Sequence, residues 1–300
     1  MLIPYRYYKI LFIFNIILCS FSFETKIGSC HIQDSLNKEE MIRHIRFTAN
    51  DLINQFGEIN NKDPFYIKIL DSNKEWIKKF PNLDWAVGLA IKNQIFINNS
   101  KISNEKDLLE TISHEICHIY QHRIKKSHTL PSWFKEGMAM YFSKEISINN
   151  NAISKSIWLK CLIDLKDLKN ISSLDKSQIN LAYQESRLAY KMIIDDFGSK
   201  TIREIISEMN NNNSSFDLAF KKNTGINLND FETKFNLKIV NSDDRYIIFK
   251  QPMNWFFLSA IILIIIFIVV KFRNKKIIRK WEIEDELENL NEDSSDNINN

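Results

Sequence analysis

The sequence predicts an α+β fold: a small N-terminal mixed sheet, a helical C-terminal half, and one C-terminal transmembrane helix. Three observations predict it. Strand-like segments, alternating or short and apolar, lie before residue 100. Segments with helical spacing fill most of the chain from residue 105 to 237. One uncharged apolar run stands near the C terminus.

The elements follow in order. Lys38–Phe56 places Ile42, Ile45, Ala49, Leu52, Ile53 and Phe56 on one helical face. Pro64–Leu70 alternates and reads as a strand. Trp85–Ile91 and Gln94–Asn98 read as two more, joined as a hairpin near Lys92–Asn93. Glu105–Arg123 and Pro131–Ser143 are helical, with Pro131 in a favourable first-turn position. Ser154–Leu168 and Leu181–Phe197 are further helices, and Gly198 caps the latter. Ile202–Met209, Ser215–Phe220 and Asp230–Leu237 complete the helical half, with Asn210–Ser214 as a loop.

Composition removes several function classes. With 6 Gly and 5 Pro in 300 residues, collagen-like and Pro/Gly-rich disordered chains are excluded. No GxGxxG or GxxxxGK[ST] is present, so no glycine-built phosphate cradle is readable. The 40 basic and 37 acidic residues leave a net charge of +3, which gives no nucleic-acid footprint.

The two ends predict membrane placement. Arg6 and Lys9 precede the almost wholly apolar Ile10–Phe23, the layout of a signal peptide over residues 1–23, or of an uncleaved signal anchor. Cys19 adds a lipoprotein alternative, against which Leu18 stands where a small residue is expected. Trp255–Val270 carries no charge. Extended by Met253 and the stem of Lys271, it gives an expected transmembrane helix over 253–271, roughly the 17–20 residues a span needs. Lys271, Arg273, Lys275, Lys276, Arg279 and Lys280 follow it and place that side in the cytoplasm. The tail, 272–300, is basic and then acidic, and reads as mostly disordered with a short helix at Trp281–Leu290. A single-pass protein of the cell membrane is expected, with residues 24–245 outside the cytoplasm and the C terminus inside. Cys30, Cys117 and Cys161 are odd in number and show no CxxC spacing, so no disulfide framework is readable; a Cys30–Cys161 bridge is allowed.

The chemistry concentrates in His114-Glu115-Ile116-Cys117-His118, an HExxH within the Glu105–Arg123 helix. Residues four apart share a helical face, so both imidazoles can address one ion, with Glu115 beside it as a base for metal-bound water. A catalytic zinc takes a third protein ligand and keeps an open position. Glu136, on the next helix after a short connection, offers that ligand. His122 lies one turn beyond His118 and competes as ligand or neighbour; His128 lies in the connecting loop, and His31 and His44 have no partner signal. Cys117 points away from the histidine pair and reads as a small buried residue.

Pro131, Trp133, Glu136, Gly137, Ala139 and Tyr141 form a P-x-W-x-x-E-G-x-A-x-Y segment after the HExxH. In this the chain resembles the gluzincin metallopeptidases, and most closely the peptidase MA-like family. The resemblance covers about Asp84 to Ile239 and implies a zincin-like domain. It also implies zinc held by His114, His118 and Glu136, with Glu115 as general base. Trp85–Asn98 resembles the family's hairpin before the motif helix, with Gln94–Asn98 as the candidate strand for pairing with extended substrate. Ala182-Tyr183-Gln184-Glu185-Ser186 resembles its Y-x-x-S helix start; Tyr183 is the candidate donor to an oxyanion, against the alternative of a core tyrosine. Gln121 and Ile124 replace the Gly and His that a metzincin needs, and no GxMEN-like element marks an aminopeptidase. The expected function is a membrane-anchored zinc metallopeptidase, of endopeptidase type, acting on protein or peptide outside the cytoplasm. The alternative is a catalytically idle surface, adhesion or envelope-assembly module of the same fold.

Overall fold

A hairpin opens the computed structural model, which describes residues 21–33, 38–144, 162–168, 171, 174–241 and 252–296. β1 (Phe21–Thr25) and β2 (Gly28–Gln33) pair antiparallel, Phe21 opposite Ile32 and Thr25 opposite Gly28. Gly28 has φ 126°, and a Cβ there would stand 2.6 Å from the Lys62 carbonyl oxygen, so this position needs glycine. The helix α1 (Lys38–Phe56) follows, then β3 (Phe65–Leu70), the short helix α2 (Asn73–Lys79), and the hairpin of β4 (Gly88–Ile91) and β5 (Gln94–Asn98).

The strand order is β1-β2-β3-β5-β4. β2–β3 and β3–β5 are parallel, and the outer pairs β1–β2 and β4–β5 are antiparallel, which is the mixed sheet expected. Side chains alternate across a strand. Ile67, Ile95 and Ile97 therefore enter the main core, while Phe96 joins Leu70, Trp76 and Ala86 in a smaller cluster. The α1 stripe, from Met41 and Ile45 through Ala49 and Leu52 to Phe56, is buried in the main core.

The helical half comprises α3 (Glu105–His122), α4 (Ser132–Ser143), α5 (Lys176–Phe197), α6 (Lys200–Asn212), α7 (Phe216–Thr224) and α8 (Leu228–Asn241). α3 starts where Asn104 accepts the Asp107 N–H at 3.0 Å, with Glu105 and Asp107 near the positive helix end. Gly198, with φ 88°, closes α5 as expected. α4 and α5 pack closely: a Cβ on Gly137 would overlap the Ser186 carbonyl oxygen and stand 2.8 Å from Tyr190 Cβ.

Several expectations change. β1 begins inside the segment assigned to targeting, and β1, β2 and α2 carry no strong periodic signal of their own. Trp85 stands before β4, in a turn where a strand was expected. Leu165–Asp167 is a 3-10 turn, not the end of a helix from Ser154. The candidate substrate strand β5 lies between β3 and β4, with both edges occupied; β4 has the free edge. Residues 1–20, including Cys19, lie outside the described residues, as do Ser154–Cys161. Cys30 is buried with a free thiol that burial pushes up in pKa.

Residues Asp243–Asn300 form a second unit. Among its described residues it contains one helix, α9 (Pro252–Asp296), which runs on through the stretch expected to be mostly disordered. Among the described residues no helix is long and apolar enough to cross a membrane, so the expected transmembrane helix is corrected. The apolar run whose side chains are described, Leu258–Val270, is followed by Lys271, Arg273, Lys275 and Lys276.

Glu185 of α5 is fully buried; one carboxylate oxygen accepts the Ile163 N–H at 3.0 Å, and among the described residues none donates to the other. Burial pushes its carboxyl from 4.5 up to about 8, against the opposing pull of the Ile163 N–H. Between those values the folded chain holds a proton that the unfolded chain has released. Stability should therefore fall as pH rises through this window and level off above it. Glu185→Gln should remove that slope. The check is the wild-type-minus-variant difference in denaturation midpoint from pH 5 to 9; a constant difference would remove Glu185 as the cause.

Candidate metal centre

α3 and α4 supply the donors. The turn between them includes a 3-10 segment, Ser127–Thr129, and enters α4 at Pro131, whose carbonyl accepts the Phe134 and Lys135 N–H groups. This folds α4 back on α3. Trp133, fully buried, stacks on Phe231 and donates from Nε1 to Glu232 at 2.9 Å, which ties α4 to α8.

The fold brings His114, His118 and Glu136 together. The two Nε2 atoms are 3.1 Å apart, and Glu136 Oε2 lies 3.4 Å from His114 Nε2 and 3.3 Å from His118 Nε2. Donors held ~2.0–2.1 Å from a tetrahedral zinc stand ~3.3–3.4 Å apart, so this triangle has the size of three zinc ligands. Glu136 Oε2 is also buried, and among the described residues it has no donor besides the two imidazoles, which leaves its lone pairs for an ion. Two imidazoles and a carboxylate form a zinc donor set, and the expected cofactor Zn2+ fits it. The three side chains keep 10–19% exposure, so the cluster has an open side.

The charges support one another. Burial alone would raise Glu136, but the two imidazoles outweigh it and hold the carboxyl well below its usual range. Burial lowers His118, and the Glu136 carboxylate outweighs that and raises it.

Glu115 lies on α3 between the histidines in sequence, 5% exposed, and near enough to His118 to add to its positive shift. Its side chain passes under Gly88 of β4. A Cβ at Gly88 would stand 2.5 Å from Glu115 Oε1 and 2.9 Å from Thr111 Cγ2. Tyr183 of α5 places its ring 6.5 Å from that of His114. The remaining histidines stand apart from the cluster. His122 is exposed and bonds the Lys92 backbone, and His128 is exposed. His31 stacks on Tyr66, and His44 bonds Ser113 at 2.7 Å. Cys117 is buried as expected, its thiol pushed up by burial.

Two positions that sequence reasoning passed over hold the centre in place. Gln121, noted only for what it is not, is fully buried; its Oε1 lies 2.9 Å from His118 Nδ1. With Nδ1 donating to that oxygen, Nε2 keeps its lone pair for the metal. Gln121 Nε2 donates to the Lys135 carbonyl at 2.8 Å, so one amide orients a histidine and ties α3 to the residue before Glu136. The i, i+3 spacing from His118 was the available signal. Gly88 had none, because its neighbour is 27 positions along the chain and meets it only in the fold.

A sequence profile described as the Peptidase MA superfamily matches residues 52–241. No curated protein matches the chain significantly. Among solved structures it is similar to a two-domain M1 zinc metallopeptidase, a Glu-to-Ala mutant bound to L-tryptophan, at 12% identity and TM-score 0.42. The match covers 74% of this chain and 51% of that one, so this chain spans about half the length of that protein.

Gln121→Leu should keep the fold and weaken zinc binding by ~10–100-fold, because His118 loses its orienting acceptor. Competition against a chromogenic chelator measures it. Unchanged affinity would show that His118 needs no such support.

Proposed function

The chain belongs to the Peptidase MA superfamily, and from that premise we propose that it is a zinc-dependent metallopeptidase of endopeptidase type. The carrying observation is the convergence of His114, His118 and Glu136 donors from two helices into a triangle of 3.1–3.4 Å. In this reading those three residues hold the ion and leave its fourth position open. A bound zinc supplies Lewis acidity toward the scissile carbonyl and an acidified water.

The chain's own residues do the rest. Glu115 takes the proton of the attacking water and passes it to the leaving amine. Gly88 keeps that carboxylate in place: the strand can lie directly over Glu115 only because it has no side chain there. Tyr183 donates to the oxyanion of the tetrahedral intermediate, a role supported by its ring standing beside His114. The substrate backbone adds to the free edge of β4, whose residues Gly88, Leu89 and Ala90 are half-buried.

Glu115→Gln should retain stoichiometric zinc while cleavage of an unfolded protein substrate falls by ~10²–10⁴-fold. Zinc content by mass spectrometry and peptide release by chromatography read the two separately. A wild-type protein that binds zinc and cleaves no member of a broad peptide library would instead support an idle module of the same fold.

Gly88→Ala should lower kcat by at least ~10-fold with zinc affinity kept, since Glu115 has to move while the donor triangle stays. Equal kcat in variant and wild type would mean that the carboxylate position is not critical.

A further inference from the structure

Beside the donor cluster stands an aromatic pair that the hydrolytic reading leaves unused in part. Trp85 lies in the turn leading into β4, three residues before Gly88. The turn is pinned: the Lys101 ammonium donates to the Asp84 carbonyl. The indole packs against both the main core and the smaller cluster of Leu70, Trp76, Ala86 and Phe96. Contacts on both sides therefore fix its position. It meets the ring of Tyr183 edge to face, with centroids 6.3 Å apart at 62°. Tyr183 in turn stands 6.5 Å from His114. Three rings thus run from the turn before β4 across to α5 and on to the ion-binding histidine. Trp85 and Tyr183 are both only half-buried, and the Tyr183 ring stands beside His114 of the cluster.

We propose that Trp85, with Tyr183, forms the wall of a pocket that takes an apolar substrate side chain flanking the scissile bond. The proposal rests on the peptidase reading and deepens it by naming a substrate class: peptides with an aliphatic or aromatic residue beside the cut. An extended peptide along β4 presents alternate side chains to the same face. With the Glu115 carboxylate under Gly88, the reacting carbonyl sits near that point of the strand, and a flanking side chain falls toward the turn that carries Trp85. The wall is aromatic carbon held rigid from behind, so an apolar side chain covers it at little ordering cost, whereas a short polar one leaves it wet.

The test uses the full-length zinc-loaded protein and blocked hexapeptides identical except for Leu, Phe, Ser or Asp at the two positions flanking the central bond. Wild type should prefer the Leu and Phe peptides over the Ser peptide by at least ~10-fold in kcat/KM. Trp85→Phe should keep most of that preference. Trp85→Ala should bring the ratio toward unity, mainly by raising KM for the apolar peptides. Trp85→Gln, which keeps bulk but makes the wall polar, serves if the alanine variant fails to melt cooperatively, and should shift the preference toward Ser. Anisotropy of the same peptides, fluorescently labelled, on Glu115→Gln protein reads the discrimination without turnover. Cleavage of all peptides at equal rates, or a preference that survives Trp85→Ala and Trp85→Gln, overturns the proposal and leaves the peptidase reading standing. No cleavage of any peptide by zinc-loaded protein overturns that reading. Equal anisotropy affinities for the Leu and Ser peptides then overturn this proposal too.

Discussion

Three ligand atoms from two helices have to be held within 3.4 Å of one another, facing a partly open surface. Two imidazoles and a buried carboxylate do not gather there without support. Removing a carboxylate from water costs several kcal/mol unless opposite charge or an ion compensates it. Much of the surrounding packing serves that convergence. The buried amide of Gln121 joins His118 to the backbone of α4. The Trp133–Glu232 hydrogen bond fixes the outer side of α4 on α8. Gly137, directly after Glu136, lets α4 lie against the Ser186 carbonyl of α5.

The sheet is organised around the same centre from the other side. Its inner strands pair in parallel, and one of its two edge strands, β4, lies over the motif helix with Gly88 against Glu115. The catalytic candidates therefore sit between a sheet edge and a helix pair. An edge strand has unpaired backbone groups, so the place where backbone recognition is available is also the place where the carboxylate is held. α5 closes the third side with Tyr183.

Much of this was legible in the chain. Helices with long apolar stripes, such as α1 and α3, match their expected spans because a 3.6-residue period over many residues is hard to produce otherwise. The HExxH and the P-x-W-x-x-E-G segment were readable because their function depends on local spacing. The strands β1 and β2 were not: β1 lies in an apolar stretch that also suits a targeting segment, and β2 gains its partners only from β1 and β3. The transmembrane assignment failed for a related reason. It rested on apolar composition alone, and among the described residues no helix is long and apolar enough to cross a membrane.

The sequence by itself determined the chemical types at the centre: two histidines one turn apart, a glutamate beside the first, and a second carboxylate on a following helix. Those follow from the residue order and helical geometry alone. Only the tertiary structure decided that Gln121 orients His118, that Gly88 sets the position of Glu115, that β4 and not β5 has the free edge, and that Trp85 meets Tyr183. Each joins groups whose proximity no short sequence pattern specifies, apart from Gln121, whose meaning needed the Lys135 carbonyl across the helix pair. Periodicity fixes which face of an element is apolar; it takes the packing of those faces to decide which polar atoms meet.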